Sequence, residues 1–271
     1  MRSAKEQVLE KKIIEAVHAL VPPGKAGAAA RLLMADAEIK ALQDYANTVS
    51  IKRIGYNDHG PVHMRTVALN AVIMMGLLRD ADIPTSLENE ESGSFEDSLT
   101  AVLFASILHD LGMSVSRQDH ELHSVYVSFP IMDRILAELY SGDMQKRVII
   151  RSLALEGISG HMGNRVIHSL EAGVILVADG CDMKKGRARI PMAMAGSPKV
   201  GDIHKYSANS INDVLIKRGE EKPIRIVVLM SGEVGLFQVE EVLLGKIAAS
   251  PAKRYIELYA IVKNREPKRY L

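Results

Sequence analysis

The stretch from Pro61 to Arg79 places the strongest constraint on the fold. Val67, Leu69, Val72, Ile73, Met74, Met75, Leu77 and Leu78 leave it apolar almost all round, and a helix without a polar face belongs at the centre of a core. Asn57-Asp58-His59-Gly60-Pro61 reads as its start, with proline at an early helical position. Its densest apolar run, Leu69 to Leu78, is half of what a bilayer span requires.

Helical spacing surrounds this stretch. Val8, Ile13, Ile14, Val17, Leu20 and Val21 recur at that period until Pro22-Pro23-Gly24 stops them. A second helix is expected over 28–49, with Leu32, Leu33, Ile39, Leu42, Tyr45 and Val49 facing inward. Residues 84–97 carry Glu88, Glu90, Glu91, Glu96 and Asp97 among serines and glycines, the texture of a solvated loop. Ala101 to Leu108 is the end of another helix, and 119–140 a further one, kinked or split at Pro130. Residues 142–155 and 165–183 supply two more, with no convincing strand before residue 184.

After Pro191 the texture changes. Ala195-Gly196-Ser197-Pro198 is linker-like, Ile224 to Met230 is β-branched, 236–247 is helical and 255–262 returns to strand texture. The expected fold is therefore an all-α bundle followed by a small α+β domain of ferredoxin-like type. Three regions follow: N-terminal helices over 1–50, the main helical domain over 51–195, and the α+β domain over 196–271.

The formal net charge of +1 leaves nothing global to draw the chain to nucleic acid or an anionic membrane. Nucleic acid is further disfavoured because aromatics make only 4% of the residues and none interleaves the basic cluster at 184–189. The single cysteine, Cys181, excludes an internal disulfide and fits a reducing compartment. The N-terminus opens into a charged amphipathic stretch instead of a signal sequence, so a cytoplasmic protein is expected.

Chemistry concentrates at His109-Asp110, where an imidazole and a carboxylate end an apolar run just before Leu111-Gly112. Neighbouring helical side chains diverge by about 100°, narrow enough to close on one ion. His63 lies one turn into the central helix, and His59 four residues before it. His120 and His123 stand at a helix start, and His161 lies between Gly160 and Met162-Gly163, where a surface histidine is the ordinary reading. Asp179 interrupts the apolar run 173–178 and must be paired, metal-bound or solvated. Asp182 reads as an exposed salt-bridge partner of Lys185 or Arg189. Cys181, inside a core helix, lacks an identifiable base and is not expected to act as a nucleophile.

The order His63, His109-Asp110, His120, His161, Asp179 resembles the HD superfamily of metal-dependent phosphohydrolases, over roughly residues 55–183. The segments Tyr56-Asn57-Asp58-His59-Gly60, His109 to Met113, Asp119-His120-Glu121, Ala178 to Met183 and Gly186 to Pro191 are similar to a largely archaeal group within it. The resemblance implies a helical bundle with His63, His109, Asp110 and Asp179 as the shared ligand set. It also implies that His120 and His161 hold a second metal and that Asp110 bridges the two. His59 and His123 are then candidates to support the ligands. The segment at 120–124 is similar to one in the cyclic-dinucleotide branch. That branch's Gly-Tyr-Pro signature is absent, and Met162 stands where it pairs a second histidine.

The resulting expectation is a hydrolase of phosphate mono- or diesters of a small molecule, a nucleotide above all, with Asp110 and His109 central to catalysis. One or two divalent ions, Mn, Fe, Co, Ni or Zn, suit imidazole and carboxylate, with Mg where carboxylate and water dominate. Lys184, Arg187 and Arg189 are the expected phosphate contacts. The rival readings are a non-catalytic metal or nucleotide sensor and a dimeric scaffold pairing through a sheet edge. A homodimer is expected in either case.

Overall fold

The computed structural model describes residues 2–184 and 203–271. The N-terminal helices are α1 (Ala4–Leu20), α2 (Lys25–Ala35) and α3 (Ala37–Thr48), the last continuing into a wider turn over Val49–Arg53. Next come α4 (Pro61–Arg79), the short α5 (Ser86–Asn89), α6 (Phe95–Leu108), a tight turn at Leu111–Ser114, α7 (His120–Leu139), α8 (Met144–Gly160) and α9 (Leu170–Gly180). The C-terminal part opens with α10 (Ile203–Ser210) and carries strands β1 (Ile211–Arg218), β2 (Ile224–Met230), β3 (Ile256–Val262) and β4 (Lys268–Arg269).

The expected helix over 28–49 is two helices. Asp36 leaves the helical conformation and its carboxylate accepts the Ile39 backbone N–H at 3.0 Å, so one residue ends α2 and caps α3. The break rotates Tyr45 outward, where it is 48% exposed instead of facing the core. Residues 84–97 are not a plain loop. Thr85 and Ser94 each accept from the backbone N–H three residues on, and Glu88 and Asp97 reach back, two capping boxes that start α5 and α6. Pro130 lies within an unbroken α7.

Helix α4 packs against α1, α6, α9 and strand β1, the central position that its apolar surface requires. Among the described residues it is the one helix long and apolar enough to cross a membrane, and most of its apolar window is buried inside the protein. Helix α6 is buried along nearly its whole length. From α4, Arg65, itself buried, donates to Glu10 on α1 at 2.8 Å and to Gln43 on α3 at 2.9 Å. Gln43 passes the chain of bonds to the Ile107 carbonyl on α6 at 3.0 Å. A buried guanidinium needs such full pairing, and here it ties four helices together two residues beyond His63 and two before His109.

The sheet order is β1-β2-β3-β4. The β1/β2 pair is antiparallel, β2/β3 parallel in the register Ile224↔Ile256 to Met230↔Val262, and β3/β4 antiparallel. A helical crossover over 233–255 joins the parallel pair, as such a connection must. The small α+β part is thus observed, but a ferredoxin-like order is not. Strand texture identifies strands one at a time and leaves their neighbours undecided. Ile224, Ile226, Val228 and Met230 of β2 join one continuous apolar core with α4, α6 and α9.

Candidate metal centre

Four helix termini converge on the centre. His109 follows the last residue of α6, and its Nδ1 donates to the Ser106 carbonyl at 2.9 Å. His161 follows the last residue of α8 in the same way, donating to the Ile158 carbonyl at 2.7 Å. Both use a carbonyl that the end of a helix leaves without an intrahelical partner. His120, first in α7, donates from Nδ1 to the Arg117 carbonyl at 3.1 Å. His63, in the first turn of α4, places Nδ1 2.7 Å from Asp182 Oδ2.

These contacts assign the protons. A carbonyl or carboxylate oxygen accepts, so each Nδ1 carries a hydrogen, and in the neutral ring Nε2 presents a lone pair. The four Nε2 atoms meet in two pairs: His63 and His109 are 3.1 Å apart, and so are His120 and His161. Two lone pairs at that distance repel unless a cation stands between them. Asp110 lies across both pairs. Its Oδ2 is 3.2 Å from His63 Nε2 and 3.5 Å from His109 Nε2, while its Oδ1 is 3.2 Å from His120 Nε2 and 3.4 Å from His161 Nε2. Asp179 Oδ1 joins the first pair at 3.2 Å from His63 and 3.8 Å from His109.

All six residues are buried. Burial pushes the His109 imidazole down to about 3 against the pull of Asp110, so it is neutral near pH 7. Burial opposes charge on Asp110 as well, but the surrounding imidazoles of His109, His59, His120 and His161 hold its carboxyl well below the usual range. Asp179 is likewise pulled down against burial, chiefly by the Lys246 ammonium. Imidazole nitrogens and ionised carboxylates gathered in a buried cluster form a donor set for a divalent transition cation. The groups His63-His109-Asp110 and Asp110-His120-His161 can each hold one.

An uncharacterized protein of Methanocaldococcus jannaschii, MJ1020, is 42% identical over 235 residues, covering 87% of this chain and 88% of that protein. The chain belongs to its family. No family model matches the sequence, and no solved structure matches it. The chemistry of the centre is read from its geometry.

The structure brings His63, His109, Asp110, His120, His161 and Asp179 together with His59 beside them, and leaves other expected positions apart. His161 is not a surface residue, because α8 runs to Gly160 and delivers it to the interior. His59 precedes α4, with Nδ1 2.7 Å from the Asn57 carbonyl and its ring 5.9 Å from that of His63. His123 is half-buried on α7. Lys184 pairs with Asp213 on β1, and Arg187 and Arg189 lie outside the described residues. Asp182 is not an exposed salt-bridge partner: it is buried against His63. Cys181 is buried, and burial pushes its thiol up, away from the reactive thiolate.

Two side chains at the centre escaped the sequence reading. Lys246, on the helical crossover before β3, pairs with Asp179 Oδ2 and donates to the His161 carbonyl at 2.8 Å. Arg117 lays its guanidinium on the His120 ring, with Nη1 3.3 Å from Nδ1. A lone lysine on an amphipathic segment and an arginine in a polar loop carry no local signal. Only distance in sequence from the Asp110 motif separates them from ordinary surface cations.

Proposed function

We propose that this chain is a metal-dependent phosphohydrolase of the HD superfamily, acting on a phosphate mono- or diester of a small molecule, a nucleotide foremost. The observation that carries this reading is the division of Asp110, with one carboxylate oxygen facing each histidine pair. In chain order the six residues coincide with the ligand set that the resemblance implies.

His63, His109, Asp179 and Asp110 would hold one cation, and His120, His161 and Asp110 a second, with Mn, Fe, Co, Ni or Zn suited to these donors. Two such ions, when bound, stabilise the attacking and leaving oxygens of an in-line phosphoryl displacement and acidify water. The chain's own part is to fix the donors. Each Nδ1 keeps its proton on an oxygen acceptor, so each ring is held in one tautomer with Nε2 forward. Asp182 sets the angle of His63, Lys246 turns Asp179 so that Oδ1 faces the imidazoles, and burial excludes bulk water.

Elemental analysis of purified protein, with Mn-dependent hydrolysis of an aryl phosphate, an aryl phosphodiester and a nucleotide panel, tests the proposal. Near-stoichiometric transition metal and turnover that falls at least about 100-fold in Asp110→Ala are expected. Turnover unchanged in Asp110→Ala would remove the mechanism. Stoichiometric metal without turnover on any substrate would favour the sensor reading, with Lys246 linking the centre to the sheet.

A further inference from the structure

The centre as described holds acids and imidazoles, and a phosphate ester is further stabilised by a fixed cation from the protein. Two cations near it are already committed. Lys246 is held between Asp179 and the His161 carbonyl, and Lys184 is held by Asp213.

Arg117 is different. It is half-buried, and among the described residues no carboxylate lies within ion-pair distance of its guanidinium. Its neighbours are the His120 ring, with Nη1 3.3 Å from Nδ1 and 3.4 Å from Nε2, and the Tyr56 ring, with Cζ 5.4 Å from the centroid. Its own carbonyl accepts from His120 Nδ1. Backbone and side chain of one residue are thus both registered on a single imidazole of the centre.

The local chain explains the placement. Asp119 adopts φ 52° and ψ 29°, a left-handed turn that aspartate tolerates better than most side chains. That turn folds the 115–118 segment back over the first turn of α7. Tyr56, 48% exposed, approaches from the loop before α4 and offers its ring face to the guanidinium. A guanidinium is weakly hydrated and tolerates such partial burial, yet without an acidic partner its donors remain available to an incoming anion.

We infer that Arg117 is the anion-binding residue of this centre: it receives the non-bridging oxygens of the substrate phosphoryl group through paired N–H donors, and Tyr56 holds it in position. This rests on the hydrolase reading and assigns that site's specificity for phosphoryl groups. The planar fork suits two phosphate oxygens at once, which a lysine ammonium cannot match.

The test is calorimetric titration of inorganic phosphate into wild type, Arg117→Gln, Arg117→Lys and Tyr56→Ala, each with and without Mn, alongside bound-metal content and the KM and kcat for an aryl phosphate. Arg117→Gln is expected to weaken phosphate binding at least about 10-fold with metal content unchanged, and to raise KM more than it lowers kcat. Arg117→Lys should fall between, and Tyr56→Ala should weaken binding a few-fold while leaving the fold intact. Phosphate bound equally by Arg117→Gln and wild type overturns the inference, as does wild type that binds no phosphate in either state. Failure of the hydrolase reading is separate: wild type that takes up no metal, or turns nothing over, leaves the metal-free phosphate titration to decide Arg117 alone.

Discussion

At the residue scale the centre is a set of proton assignments. Three histidines, His109, His120 and His161, each donate from Nδ1 to the carbonyl three residues earlier, and the fourth, His63, uses Asp182. The carbonyl tethers are part of the backbone and survive any side-chain substitution. The Asp182 tether does not. Asp182→Ala is therefore expected to weaken metal binding about 10- to 100-fold, the range for loss of a group that orients a ligand. The fold should persist, since Asp182 lies at the rim of the core with 9% exposure. Competition titration with a chromophoric chelator measures this, and unchanged affinity would mean that His63 is oriented by packing alone.

At the scale of elements, the site depends on how closely the turn after α6 meets the start of α7. Gly112 sits where an added Cβ would lie 2.1 Å from the His120 carbonyl oxygen and 2.4 Å from the Ser124 amide nitrogen. Its own N–H donates to Ser124 Oγ at 2.8 Å. Both obstructing atoms are backbone, so no rotamer change relieves the clash and one element has to move. Gly112→Ala is expected to cost about 3 kcal/mol, the upper end for overpacking, and to displace His120 from His161. Chemical denaturation measures the first effect. Loss of one of two bound metal equivalents, by elemental analysis, measures the second.

Over the whole molecule, Lys246 joins the C-terminal part to the helical centre. It sits on the crossover that makes β2 and β3 parallel, and its ammonium neutralises a buried carboxylate of α9. Removing one partner of a buried ion pair leaves an uncompensated charge. Lys246→Met should destabilise the metal-free protein by about 3 kcal/mol, and added Mn should recover part of that loss by compensating Asp179 from the other side. Thermal unfolding with chelator and with Mn separates the cases. An equal loss in both would reduce Lys246 to a packing residue.

The sequence by itself determined the central helix at 61–79, the all-α texture up to residue 183 and the strands at 224–230 and 255–262, and the resemblance carried by its order of His and Asp named the six residues of the cluster. Each of these is written locally, in apolar periodicity, β-branching or the chain order of His and Asp. Tertiary structure alone decided the break at Asp36, the burial of His161, the strand order, and the recruitment of Asp182, Lys246 and Arg117. Those outcomes depend on which distant groups meet: a helix end in search of a donor, a buried carboxylate in search of a cation. Periodicity records how a residue faces its own helix. It holds no record of what another helix brings to the same point in space.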